Sequence, residues 1–266
     1  MKNYNTALIT GGCQRIGFSI VKYLASRGFN IVVQYNNSGK EIKKIEKITK
    51  KFNVKFHSFK FDFENLEKLE ECYRRIILKI GKIDLLINNA SAFDYDSLDT
   101  SDFKIFDRHI NVNLKAPFFL SKYFKKALGS KNGLIINLLD QRVNNITPYF
   151  TSYSISKFGL YALTKSLALS ISPYIRVNGI SPGPTLKSKN QSTKQFEEQV
   201  KRTPLMKSVK LSEINNAVGY LIDNTSVTGE ILTLDSGQSL GWSITKSKKF
   251  TLFPYTTLFR HRKSVV

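Results

Sequence analysis

Seven short strand-like runs, six of them rich in aliphatic and β-branched residues and one carried by phenylalanines, are separated by longer stretches of helical character and constrain the fold of this 266-residue chain more than any other feature. They are Ala7 to Ile9, Ile31 to Gln34, Lys55 to Phe59, Ile83 to Ile87, Leu134 to Leu138, Ile175 to Ile180 and Ile231 to Leu234. When a helix follows each strand, the chain returns across the sheet before the next strand begins. The strands then run parallel and need cover on both faces. The pattern predicts an α/β chain with a doubly wound, seven-stranded parallel sheet. No 20 to 50 residue repeat and no low-complexity linker interrupts it before about residue 245, so residues 1–245 read as a single domain.

Charge is the next constraint. Lys and Arg outnumber Asp and Glu 41 to 20, a formal charge of +21. The lysines are spread through helix-like segments such as Glu41 to Lys51 and Glu64 to Lys79, mixed with acids and apolar residues, which is the pattern of solvated faces. Nucleic acid is therefore not an expected partner, although the charge would attract a polyanionic cofactor. No apolar run approaches the roughly 18 residues that cross a bilayer, and no membrane association is expected. The first residues run from Met1 through a polar stretch straight into the first strand, without the charged and apolar regions of a secretory signal, and two cysteines, Cys13 and Cys72, make no disulfide framework. A cytoplasmic location follows as the expectation. Residues 246–266 are set apart, with six basic residues, no acid and no periodicity. They read as a basic irregular tail, and their FTLFPYTTLFR stretch resembles translated sequencing-adapter DNA.

The first strand runs into Thr10-Gly11-Gly12-Cys13-Gln14-Arg15-Ile16-Gly17, which opens a helix. Glycines at such a turn let backbone N–H groups approach a pyrophosphate, and the helix N-terminus favours its charge. This is the signature of a Rossmann-type dinucleotide site. Arg15 is expected to pair with a 2′-phosphate, since a guanidinium binds phosphate bidentately. The second strand ends in Gln34-Tyr35-Asn36-Asn37-Ser38, with no carboxylate to hold the ribose hydroxyls of NAD or to repel a phosphate. NADP is therefore the expected cofactor, with Asn37 and Ser38 as further donors. Asp62, after the third strand, either accepts from the adenine amino group or caps the following helix.

The reactive constellation is Asn113, Asp140, Tyr153 and Lys157. A tyrosine near pKa 10 is a poor proton donor at neutral pH unless a cation stabilises its phenolate. A lysine four residues on along a helix stands beside it. An ionised Asp140 would oppose that cation, so a carboxyl sharing a proton with the phenol suits reduction of an imine better than oxidation of an alcohol. His57 and His109 lie far in sequence from any Ser/Asp or metal pattern, so no zinc site or nucleophilic triad is expected. Cys13 reads as a packing residue, and Trp242 as an interface or lid anchor.

Together, TGGCQRIG, Asn88-Asn89-Ala90, Asn113, Tyr153 with Lys157, RVNGISPG and Thr228-Gly229 through Gly237 resemble the short-chain dehydrogenase/reductase family over nearly all of residues 5–241. The resemblance implies that Tyr153 is the general acid, that Lys157 binds the nicotinamide ribose and lowers the tyrosine pKa, and that Asn113 holds a water. It further implies that Gly11, Ile16, Gly17, Asn89, Ala90, Pro182, Gly183 and Thr185 line the cofactor. Asp140 departs from the family pattern, which has serine thirteen residues before the tyrosine. The pteridine reductase branch, which reduces dihydropteridines and dihydrofolate, shares this aspartate, an arginine in the glycine loop, and an Asn-Ala-Ser-x-Phe run like Asn89 to Phe93. That likeness implies that Phe93 stacks on a pterin, that Ser91 and Arg15 touch its polar edge, and that Asp140 assists protonation of a ring nitrogen. It also implies a homotetramer, paired through helices expected at Phe106 to Leu128 and Ser152 to Ser172. The alternatives are a general carbonyl or 3-oxoacyl reductase, or a non-catalytic NADP-binding protein.

Overall fold

A computed structural model describes residues 4–189 and 191–241. Trp242 and the tail at 246–266 lie outside them. The chain runs β1 (Thr6–Thr10), α1 (Arg15–Ser26), β2 (Asn30–Tyr35), α2 (Ile42–Lys51), β3 (Phe56–Lys60), α3 (Leu69–Ile80), β4 (Leu85–Asn88), α4 (Phe103–Ile110), α5 (Ala116–Leu128), β5 (Gly133–Leu138), α6 (Thr151–Ser170), β6 (Ile175–Pro182), α7 (Thr193–Lys201), α8 (Leu211–Asp223) and β7 (Ile231–Leu234). The strands form one sheet in the order β3-β2-β1-β4-β5-β6-β7, every pair parallel. All seven expected strands are present.

Side chains alternate across a strand, so successive residues feed different cores. Ala7 and Ile9 of β1 join Ile31, Val33, Leu85 and Ile87 under α1, α2 and α8. Leu8, between them, turns to the opposite face with Val32, Leu86 and Ile135, where α3, α5 and α6 bring Tyr73, Phe124 and Ala168. Strand order reverses between β1 and β4, and the crevice beyond the carboxyl ends of these two strands is where open α/β sheets bind ligands.

The helix expected over Phe106 to Leu128 is interrupted. Between α4 and α5 the chain makes a π-helical turn at Asn111–Lys115. Pro117, in the first turn of α5, has no N–H to give the Asn113 carbonyl four residues back, and the ladder shifts by one residue there. Among the described residues, no helix is long and apolar enough to cross a membrane.

Candidate active site

The glycine loop sits at the switch point and leaves no room for side chains. A Cβ on Gly17 would stand 2.4 Å from the Gly11 carbonyl oxygen, and Gly11 has φ +61°, which glycine adopts without strain. Gln34, buried in β2, accepts the Gly11 N–H through Oε1 and donates through Nε2 to the Phe61 carbonyl, tying the loop to the chain beyond β3. Asn89 donates to the Thr10 and Gly11 carbonyls, while the Thr10 hydroxyl accepts the N–H groups of Asn89 and Ala90. At the head of α1, Gln14 supplies no side-chain cap and the first turn holds no acid. Its first N–H groups and dipole therefore suit a phosphate. At the far side, Gly183 packs so closely that a Cβ would lie 2.7 Å from the Asp235 Cα, and the Thr185 hydroxyl donates to the Gly183 carbonyl. This is a cradle that fits a dinucleotide.

Arg15 reaches across the mouth of the loop. Its guanidinium donates to the carbonyls of Lys187 at 2.8 Å and Leu186 at 3.1 Å, on the loop after β6. Its backbone takes φ +52°, a conformation costly for a side-chain-bearing residue. Both guanidinium bonds run to the β6 loop, and Arg15 stays exposed at the mouth of the glycine loop. Asn36, Asn37, Ser38 and Lys40 remain the polar groups after β2. Glu41, further along, has Lys44 at 3.7 Å. Asp62 is exposed, and its carboxylate accepts the Glu64 N–H in a local turn; the helix-capping alternative does not hold, since α3 begins later with Lys68 at its N-cap.

Tyr153 and Lys157 share the buried face of α6. The Tyr153 hydroxyl donates to Asp140 Oδ2 at 2.9 Å. Burial, then the Asp140 charge and hydrogen bond, push the phenol well above its ordinary pKa, while Arg142 and the Ser91 hydroxyl pull it down. Lys157 Nζ donates to the Leu138 carbonyl at 2.8 Å and lies 5.7 Å from the centre of the Tyr153 ring. Its burial lowers its pKa to about 8, against the raising influence of Asp140. Asn113 is wholly enclosed at the π-helical turn, where Oδ1 accepts the Ala92 N–H and Nδ2 donates to the Ala92 carbonyl and to Ser156 Oγ. Its side chain braces the Ala92 segment, so any water it holds must meet its backbone.

Phe93 stacks on Phe150 with ring centres 4.7 Å apart and planes within 7°, and meets Tyr153 edge-on at 4.7 Å. Arg142 completes this wall, its guanidinium 4.9 Å from the Phe150 ring centre and 5.6 Å from Phe93, while its backbone N–H and Nη1 approach Asp140 at 2.9 and 3.4 Å. Neither Phe150 nor Arg142 was singled out from the sequence. The Asp-x-Arg spacing at 140–142 was the available signal, since a residue two positions past an Asx turn folds back onto its carboxylate. His109 was dismissed on sequence distance. The fold carries α4 against α6, so that His109 Nδ1 lies 2.7 Å from Ser152 Oγ, 43 residues away, a contact that sequence distance hid. Cys13 is buried and its thiol is pushed up to about 11, chiefly by burial, as a packing residue requires. No cluster of three metal-ligating side chains occurs among the described residues.

The family described as enoyl-(acyl carrier protein) reductase matches residues 12–239. The chain belongs to the short-chain dehydrogenase/reductase family. Within it, the solved structure of the alternative dihydrofolate reductase FolM from Brucella suis, in complex with NADP, is 38% identical and superimposes with TM-score 0.87, covering 92% of this chain and 99% of that one. A short-chain dehydrogenase from Burkholderia cenocepacia, also in complex with NADP, is 26% identical with TM-score 0.82, over 88% of this chain and 97% of that one. The 3-oxoacyl-[acyl-carrier-protein] reductase FabG of Rickettsia felis is 31% identical over 87% of this chain and 95% of its own length. The chain is thus a short-chain oxidoreductase.

Proposed function

We propose that this short-chain oxidoreductase uses NADPH to reduce a C=N bond in a dihydropteridine or dihydrofolate-like substrate. The observation that carries the reading is the Tyr153 hydroxyl donating to Asp140 at 2.9 Å beside the flat wall of Phe93 and Phe150. Reduction of either a carbonyl or a C=N bond delivers a proton to the heteroatom with the hydride. A flat aromatic wall beside a carboxylate-linked phenol suits a planar ring that offers both a stacking face and a ring nitrogen to protonate. The likeness to the FolM alternative dihydrofolate reductase supports the same substrate class.

NADP fits the glycine cradle, the open N-terminus of α1 and the carboxylate-free end of β2, and when bound it supplies the hydride. Gly11, Ile16 and Gly17 would face its pyrophosphate, Arg15, Asn37 and Ser38 its 2′-phosphate, and Asn89, Ala90, Pro182, Gly183 and Thr185 its nicotinamide half. Tyr153 gives its proton to the ring nitrogen. Lys157 stabilises the phenolate that develops, and Asp140, an acceptor in the resting site and partly open to solvent, takes up a solvent proton and passes it along its bond to the phenolate. Phe93 and Phe150 exclude water, while Ser91, Arg15 and Arg142 offer polar contacts to the heterocycle edge.

Phe93→Ala should raise KM for a dihydropterin by the roughly 1–3 kcal/mol that an aromatic stacking face is worth, about 5- to 150-fold, while leaving KM for a small ketone nearly unchanged. Steady-state kinetics on both substrates test this, and equal losses would refute the stacking role. The FabG relatives favour a second reading, a 3-oxoacyl or general carbonyl reductase. Turnover of acyl or diacetyl-type substrates without pterin turnover would select it.

Assembly as a homotetramer belongs to the same proposal. Leu98, Phe103 and Phe118 on and around α4 and α5, and Ile155 and Leu169 on α6, leave apolar surface exposed on the two helices expected to pair. Light scattering should give four chains per particle, and a monomer would refute it.

A further inference from the structure

Behind Tyr153 lies a polar cluster that the reduction does not use. His109 and Asp96 are 0% exposed and Ser152 is 1% exposed. Asp96 Oδ2 accepts the Ser152 hydroxyl at 2.5 Å, the Ser152 N–H at 3.0 Å and the Ser101 hydroxyl at 3.0 Å. On the other side of the imidazole, Nε2 accepts the Asp94 N–H at 3.0 Å. These bonds fix the tautomer. Nε2 must be bare to accept, so the proton sits on Nδ1 and is donated to Ser152 Oγ, whose own proton goes to Asp96.

Two parts of the active site meet on this chain of bonds. Ser152 precedes Tyr153 at the start of α6, a helix whose N-cap residue, Phe150, makes no capping bond. Asp96 supplies from the loop before α4 the acceptor that this helix end needs. Asp94 follows Phe93, and Ala92 precedes it. His109 holds Asp94 and Asn113 holds Ala92, from positions four residues apart where α4 runs into the π-helical turn. Phe93 is thus displayed between two pins. Arg108 grips the outer side of the same segment, pairing with Asp94 and Glu64 at 2.8 Å each.

We infer that His109 is a positioning residue that locks the Phe93 segment to the Tyr153 helix and so sets the spacing between stacking wall and acid. The inference rests on the proposed roles of Phe93 and Tyr153. A protonated imidazole cannot accept the Asp94 N–H, so acid opens the lock at that end. The groups facing the ring are Arg108 on its own helix, Asp94 and Asp96 on the preceding loop, and Tyr153 and Lys157 on α6. Burial is the largest influence and lowers the His109 pKa, aided by Arg108 and Lys157 and opposed by Asp94 and Asp96. The ring is neutral at pH 7. Because the folded pKa lies below the unfolded one, stability falls as pH drops below about 6.5.

Asparagine copies the Nδ1 donor and glutamine reaches the Nε2 acceptor position. His109→Gln should keep the dihydropterin KM within about threefold of wild type. His109→Asn, which leaves the Asp94 N–H without its acceptor, should raise it roughly tenfold with kcat little changed, the usual consequence of one unmade buried hydrogen bond. KM for a small ketone should stay level in both. Hydrogen exchange at the Asp94 amide, read by NMR in the free full-length protein, should accelerate in the Asn variant and not in the Gln variant. Equal KM and equal exchange in the two variants, or a ketone KM that rises in step with the pterin KM, would overturn the lock. If the wild type proves to reduce only ketones, the substrate proposal fails, and the Asp94 exchange rates still decide the lock.

Discussion

Asp140→Ser should lower dihydropterin turnover by roughly 10²- to 10⁴-fold, the span typical of lost general acid catalysis, while NADPH affinity stays at the wild-type level. The substitution installs the residue that most short-chain reductases carry at this position, so a fall in activity is informative. Asp140 accepts the Tyr153 hydroxyl through Oδ2 and the Arg142 N–H through Oδ1, each at 2.9 Å. Serine can still bond the phenol, but it has no carboxylate to take up a solvent proton and pass it on once Tyr153 has given up its own. The glycine cradle lies on other elements, which is why cofactor titration should not move. Single-turnover rates with dihydropterin, alongside NADPH fluorescence titration, separate the two effects. Wild-type turnover in Asp140→Ser would remove Asp140 from the proton path.

Lys157→Met should nearly abolish reduction, by at least 10²-fold, yet stabilise the protein. The lysine is buried, and its pKa of about 8 records the cost of holding an ammonium away from water. At pH 7 the lysine is protonated both folded and unfolded, so the native state bears that cost in full. Above pH 8 the native lysine loses its proton while the unfolded chain keeps one up to about pH 10.4, so wild-type stability rises with pH across this window. Methionine fills a similar volume without charge. Even with the bond to the Leu138 carbonyl lost, about 1 kcal/mol, the variant should gain about 1–3 kcal/mol at pH 7, and the gain should shrink toward pH 10. Urea denaturation at several pH values measures it. A variant less stable than wild type at pH 7 would mean that the ammonium is better solvated than its burial implies.

The sheet was legible because a doubly wound fold buries its central strands on both faces, and β1, β2, β4, β5 and β6 read as aliphatic runs, while the half-exposed edge strand β3 showed only its phenylalanines. The glycine loop and the Tyr153/Lys157 pair were legible for a related reason, since close backbone approach and helical spacing impose local patterns. What escaped was non-local. Phe150 and Arg142 enter the site only because a short turn after Asp140 folds back on itself, and His109 meets Ser152 only once α4 docks on α6. Arg15 shows the same limit in reverse. Its position in the glycine loop was clear, but the direction of its side chain depends on the Leu186 and Lys187 carbonyls, which arrive from the other half of the sheet. The π-helical turn at Asn111–Lys115 was hidden in an otherwise regular helical pattern, with Pro117 as its one visible mark.

The central claim is that the pocket formed by Asp140, Tyr153, Phe93 and Phe150 reduces a pterin-like ring rather than a simple carbonyl. The most direct measurement is kcat/KM for NADPH oxidation by the full-length wild-type protein with a dihydropterin, dihydrofolate and a small diketone side by side. The account predicts that a dihydropterin or dihydrofolate is preferred over the diketone by at least about 100-fold, the discrimination expected when buried polar groups are matched to a substrate's hydrogen bonds. Brisk NADPH consumption with the diketone or an acyl substrate, and none with either pterin, would contradict it.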